Sequence, residues 1–582
     1  MAFQLSPGVN VSEIDLTTIV PQVATTEAAF VGIFNWGPAN TIISVSNEVE
    51  LVATFGKPTS TANVFQSFFT AANFLSYGRN LRIVRALNTS QYNASDGGNA
   101  NTRVVVSNRD DYLRLYPSLT ARSNTNQSGF IAKYPGPAGK NLTVSVCMAN
   151  AAANMYVDST DFSAWTYANY FASAPNTSTY VASANGRTDE MHIVVTDGDA
   201  NFQSIQGGVL ETFGYVSKAI DAKNEDGSSN YYVDVLRDKS KYVYAISHIG
   251  TDFGNVAANK TFVNAYASVH NTSVVTEIFD NNGATATITD SDVIRGYDKF
   301  KNPEEVDISL VMLGQHSTNV AQHVVDNIVE FRKDAIAFIS PPASSTIEVP
   351  GGETTAIANW RNNTLNKSSS YAFVDTGWKY QFDKYNNTYR WIPLNGDIAG
   401  LCARTDFERD PWFSPAGFNR GAIKNVVKLA FVPNKSQRDD LYKIGINPVV
   451  AFPGEGVILY GDKTLLSKPS AFDRINVRRL FIVLEKAIAR AAKYSLFEFN
   501  DEFTRAQFVS LVEPYLRDVQ GRRGIYDFRV VCDTTNNTPE VIDRNEFVGD
   551  IYIKPARSIN FIQLNFIAVR TGVAFEEIVG RF

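Results

Sequence analysis

Apolar residues recur near the end of the chain at the spacing of one helix face: Val477, Leu480, Phe481, Leu484, Ala487, Ile488 and Ala491 follow one another at intervals of one or three. The pattern predicts a helix over 474–495, with Asp473 as its cap. Arg478, Arg479, Lys486, Arg490 and Lys493 lie mostly off that stripe, so the helix is expected to bury one face and keep a solvated, basic one. Nearer the start, a strand at 28–34, a turn at 35–38, a strand at 42–45, a helix at 64–76 and a strand at 81–86 alternate as in an α/β layer. The same alternation returns with a strand at 306–312, a helix at 319–333 and a strand at 335–339. Between these halves the pattern changes. A polar loop at 88–99 opens a long region of short strands rich in Ser, Thr, Asn and Tyr, which reads as β-rich material inserted into the layer. The ends of such an insertion should lie close together.

This divides the chain into an extended arm at 1–22, a discontinuous middle α/β domain at 23–87 and 301–404, and inserted domains at 88–190 and 191–300. A C-terminal α+β domain at 405–570 and a terminal arm at 571–582 complete it. The fold class is therefore multidomain, mixing α/β and α+β parts, with β-rich insertions. The segment 6–16 opens on Ser6-Pro7-Gly8, continues as a short strand and is cut off before Pro21, with no hairpin partner beside it. Such a segment is either a frayed end or an arm that adds a strand to another subunit's sheet.

Composition narrows the function. With 582 residues, 44% hydrophobic and 19% charged, the chain can bury several cores. A net charge of −6 speaks against a nucleic-acid binder, which would show a basic excess. Cys147, Cys402 and Cys532 are odd in number and far apart, so a reducing compartment is expected rather than a disulfide framework. No signal sequence or membrane span is evident, and synthesis in a cytoplasm without membrane insertion is the expectation.

Catalytic chemistry finds little support. His192, His248, His270, His316 and His323 show no metal-ligand spacing, and only the last two are near each other, as if on one solvated helix turn. The segment 456–464 nearly matches a phosphate-binding loop, but Val457-Ile458-Leu459-Tyr460 reads as buried strand where free amides are needed. Ser414 and Ser470 lack a nucleophile-elbow context. Asp406, Glu408 and Asp410 read as solvated loop charges, and Trp360, Trp378, Trp391 and Trp412 as core or interface aromatics. No cofactor or metal is expected.

Several long phrases, in order, resemble contractile-tail sheath proteins of myophages. They are RINVRRLFIVLEKAI (474–488), LFEFNDEFTRAQF (496–508), PYLRDVQGRRGIYDFRVVCD (514–533), NNTPEVIDRNEF (536–547) and IYIKPARSINFIQLNFIAVRTG (551–572). SPGVNVSEID (6–15), FVGIFNWGPAN (30–40) and FIAKYPGPAGKNLTVSV (130–146) extend the resemblance to the other end. It implies a structural, non-enzymatic subunit of the virion, assembled in the host bacterial cytoplasm. Such subunits stack as six-fold rings around a tail tube, between baseplate and tail terminator, in an extended metastable state. Contraction then drives the tube through the host envelope during genome delivery. It also implies that the arms, through Gly8, Val9, Val11, Ile14 and Leu16 at one end and Val573, Phe575 and Ile578 at the other, complete sheets in neighbouring C-terminal domains. The C-terminal domain would face the tube, gripping it through Arg478, Arg479, Lys486 and Arg490, and the insertions would face outward. The sheath of a tailocin or type VI-like machine is the alternative within this class; outside it stands a β-rich receptor-binding or glycan-degrading virion protein.

Overall fold

The structure, a computed structural model, describes residues 24–96, 104–122, 127–149, 159–203, 205–263, 274–279, 287–560 and 563. Its centre is a seven-stranded sheet whose spatial order is Ile446–Asn447, Ala372–Asp375, Ile336–Ile339, Leu310–Met312, Ala28–Gly32, Leu81–Arg85 and Ile42–Val45. All neighbours run parallel except the last pair. Parallel strands need cover on both faces, and the unbroken apolar runs AAFVG, LVM and IAFI are fully buried, as that demands. On one pleat Val31 meets Gly296, where a Cβ would clash, so the helix Asp290–Tyr297 can approach the sheet closely. Phe30, on the opposite pleat, lies toward Thr70 of the helix Ala62–Leu75. That helix in turn packs on Asn395–Glu408, and Gly396 permits the close approach to the Thr70 carbonyl.

The molecule thus mixes α/β and antiparallel parts in several sheets. The strands at 28–85 and 310–375 share one sheet across the intervening insertion, and the insertion's mouth is narrow. Asn88 Nδ2 donates to the Thr287 carbonyl and to Asp292, both at 3.0 Å. Three expected boundaries move. The break at 190/191 falls at the start of the strand Glu190–Asp197, which pairs with both Leu142–Met148 and Gly208–Ser217, so the insertion's main four-stranded sheet spans both expected domains. Residues 290–300 were expected in the insertion, yet Val293, Tyr297 and Phe300 are buried in the central core and Tyr297 Oη donates to the Met312 carbonyl at 2.6 Å. The central sheet also takes its edge strand from Ile446–Asn447, beyond the expected end at 404.

The expected helix at 319–333 is one run from Thr318 to Arg332 with a π-helical segment, Val324–Val329, inside it. The C-terminal part has its own core. Helices Ile475–Ala492 and Glu502–Gly521 and the hairpin Ile525–Val531/Asp550–Pro555 enclose Leu480, Leu484, Phe508, Val512, Leu516 and Val519, with Trp412 closing one side.

Candidate functional site

The helix Ile475–Ala492 sits between two cores. Ile475 and Ile482 enter the central one, while Leu480 and Leu484 enter the C-terminal one. Its N-cap position is Arg474, without a side-chain cap, and Asp473 lies one residue earlier in a 3-10 turn, so the expected aspartate cap does not form. The expectation of a solvated basic face is also corrected. Arg479 is buried and makes a two-pronged pair with Asp406 at 2.7 and 2.5 Å, while Asp406 accepts a further hydrogen bond from Thr25. Burial would pull the guanidinium down, but the facing carboxylate outweighs it and holds Arg479 charged. Arg478 is buried between the rings of Tyr371 and Phe472, 4.5 and 4.2 Å from their centroids, with Glu485 at 3.5 Å.

Lys486 donates to Asp307 at 2.6 Å and to the Ile308 carbonyl at 2.9 Å, and it lies 3.5 Å from Asp334. Asp334 is itself held by buried Arg332, and Arg490 also bonds Asp307. Burial raises the Asp307 carboxyl, yet Lys486 and Arg490 more than offset this and hold it below the usual carboxylate range. The physical reason is placement. The helix crosses the entry ends of the parallel strands, where Asp307 and Asp334 immediately precede the runs at 308–312 and 335–339. Residues off its apolar stripe therefore meet protein rather than water. Arg490 alone of the four keeps a substantially exposed side chain, at 40%. Nothing in the helix's own periodicity reveals Asp307, Asp334 and Asp406. For Asp307 and Asp334 the signal available was an acid directly before a buried strand run, whereas Asp406 lies within the helix Asn395–Glu408.

The C-terminal hairpin is the second feature. Phe528, Val530, Ile551 and Ile553 turn toward the core while Tyr526 and Tyr552 are exposed. Among the described residues no third strand pairs with either side of it, although Gln520 Nε2 donates to the Tyr526 carbonyl and Asn536 Nδ2 to that of Val531, both at 2.8 Å. Gly8, Val9, Val11, Ile14, Leu16, Val573, Phe575 and Ile578 lie outside the described residues.

Among the described residues the groups screened for catalysis have structural partners; His270 lies outside them. His248 Nδ1 is 2.8 Å from Tyr232 Oη, and His192 stacks on Phe171. His316 and His323 do not share a solvated turn: His316 is half-buried against the Val31 carbonyl, and His323 faces Asp298. Residues 456–459 are a strand paired with Val449–Phe452, and Lys463 donates to the Tyr442 carbonyl. Asp406 and Asp410 are not solvated loop charges, since Asp406 faces Arg479 and Asp410 faces Arg522. Trp360, Trp378 and Trp412 are buried. The described residues contain no cluster of three or more potential metal ligands and no helix long and apolar enough to cross a membrane.

Three family models match the chain: the tail sheath protein Gp18 domain III N-terminal region over 25–86, the phage tail sheath protein central domain over 286–465, and the phage tail sheath C-terminal domain over 467–568. The tail sheath protein of Vibrio phage KVP40 is 37% identical over 99% of this chain and 100% of that protein. The chain belongs to the phage tail sheath family. The tail sheath protein of Enterobacteria phage T4 is 36% identical, with 99% of each chain covered. Two solved sheath structures share the fold at low identity. A sheath tail protein from Listeria innocua gives a TM-score of 0.51 at 11% identity over 91% of this chain and 94% of that one. The anti-feeding prophage helical sheath in its contracted state gives 0.50 at 13% identity over 97% and 99%. The central and N-terminal sheath models stop and restart at 86 and 286, on either side of the mouth where Asn88 meets Thr287.

Proposed function

We propose that this tail sheath protein is a non-enzymatic structural subunit of the virion. Made in the host cytoplasm, it polymerises as stacked six-fold rings around the tail tube, between baseplate and tail terminator, and contracts to drive the tube through the host envelope. The observation that carries the reading is the two-stranded hairpin, backed by a core and, among the described residues, joined by no third strand, in a chain whose two ends read as strands without local partners. Strand addition supplies many backbone hydrogen bonds at each joint while leaving the joined domains free to turn. Gly8, Val9, Val11, Ile14 and Leu16 of one neighbour, and Val573, Phe575 and Ile578 of another, are the residues we assign to those added strands.

The insertion faces outward in this reading, because its narrow mouth leaves the central sheet complete without it. Arg478, Arg479 and Lys486 fasten the C-terminal helix to the central layer, and contact with the tube is left to the exposed part of Arg490 and its surroundings. The test is deletion of residues 1–16. The shortened chain should stay a folded, soluble monomer by circular dichroism and sedimentation and form no tubes under negative stain; normal tubes would sink the strand-exchange reading.

A further inference from the structure

The junction between the two C-terminal helices exposes an unusual run. Leu496, Phe497, Phe499 and Phe503 are 62%, 105%, 84% and 75% exposed. Interleaved with them are exposed Glu498, Asp501 and Glu502. Among the described residues neither Glu498 nor Glu502 has an ion-pair partner, and Asp501 is engaged only as the N-cap of Glu502–Gly521. Free aromatic surface on this scale marks a contact site.

At the other end of that helix lies the complementary chemistry. Arg409, Arg420, Arg522 and Arg523 line an open cleft of about 380 Å³ with Asp410 and Phe413. Only Arg522 is paired with Asp410, and Arg420 is held by the Ser414 carbonyl at 2.8 Å beside the Phe413 ring. Burial and the charge of Arg409 pull the Arg420 guanidinium below its ordinary range, with Glu408 opposing them only in part. Among the described residues the side chains of Arg409 and Arg523 have no ion pair or hydrogen bond, and Phe407, two residues from Arg409, is 90% exposed.

We infer that the acidic aromatic run 496–503 of one subunit docks in the arginine cleft of a second copy of this chain. Carboxylates meet guanidinium groups in geometry suited to paired hydrogen bonds, and the Phe side chains cover Phe407 and the arginine planes. A helix of 20 residues separates donor from acceptor by about 30 Å, so one chain cannot satisfy its own cleft. The contact is therefore head-to-tail, the kind that propagates into rings or helical arrays rather than stopping at a dimer. It rests on the self-assembly proposed above, and adds a contact that does not use the arms.

The test compares wild-type chain, R409E with R523E, E498R with E502R, and the chain carrying all four changes. Each is checked for native circular dichroism and then assembled over a concentration series. Each pair of reversals should raise the concentration needed for tubes by about tenfold, and the fourfold variant should restore it. Wild-type assembly by R409E with R523E, or a fourfold variant no better than the pairs, overturns the contact. So does normal tube formation by the variants accompanied by lost binding to the inner tube, which would make the tube protein the occupant. A wild-type chain that forms no tubes strikes the sheath reading itself, and the contact with it.

Discussion

Arg479 and Asp406 show how a charged residue that sequence places on a surface becomes part of the interior. Their side chains are 4% and 1% exposed, so removing one partner leaves the other charge without water or counterion. Arg479→Ala should destabilise the chain by about 3–5 kcal/mol in denaturant unfolding, whereas replacing both, as R479M with D406L, should cost clearly less. A double change as damaging as the single one would mean that shape, not charge, matters there. Asp375 gives a pH prediction. Burial pushes its carboxyl up to about 8, despite hydrogen bonds from the Ser340 hydroxyl and the Gly377 N–H, with Asp397 adding to the rise. Its unfolded value is about 3.9, so the protonated folded form contributes stability that is complete below about pH 4 and is lost as pH rises through about 8. Unfolding midpoints should fall between pH 5.5 and pH 8.5, and D375N should flatten that slope; parallel slopes for the two chains would exclude Asp375 as the cause.

At the scale of elements, the helix Ile475–Ala492 is the joint between two cores, and its lysine is the most economical place to loosen it. Lys486→Glu would face Asp307 and Asp334 with a like charge and lose the Ile308 carbonyl. We expect faster amide exchange and proteolysis at 475–492 with the strands at 28–32 and 81–85 still protected, since only the dock is weakened. Uniform loss of protection would show that the two cores unfold as one. The position of this helix was legible in sequence to within a few residues, because its apolar spacing reports its own periodicity. What its other side touches was not legible, because Asp307, Asp334 and Asp406 are distant in sequence and reach it only through the fold.

At the scale of the molecule, the insertion is attached at a narrow mouth but rests on the layer beneath. Trp36 packs edge-on against Phe202 at 4.7 Å, and buried Arg85 donates to the Pro135 carbonyl as well as to those of Phe34 and Gly37. Replacing residues 89–286 with a short Gly/Ser bridge should therefore leave a chain that folds but exposes Trp36 and tends to aggregate. Adding Trp36→Ser should make it soluble and still able to form tubes. Failure of that second chain to fold would place the insertion in the core of the fold.

The sequence alone determined five strands of the central layer, two of its helices, the return of the layer after the insertion and the family, because each is written in local periodicity or in long ordered phrases. Only the tertiary structure decided where the parts meet. The strand Glu190–Asp197 joins two regions that composition had separated, the helix Asp290–Tyr297 belongs to the central core, and the edge strand Ile446–Asn447 comes from beyond the expected boundary. Local pattern records whether a residue is buried, but the identity of what buries it depends on long-range pairing. A basic side chain reads as solvated until the fold brings an aspartate opposite it.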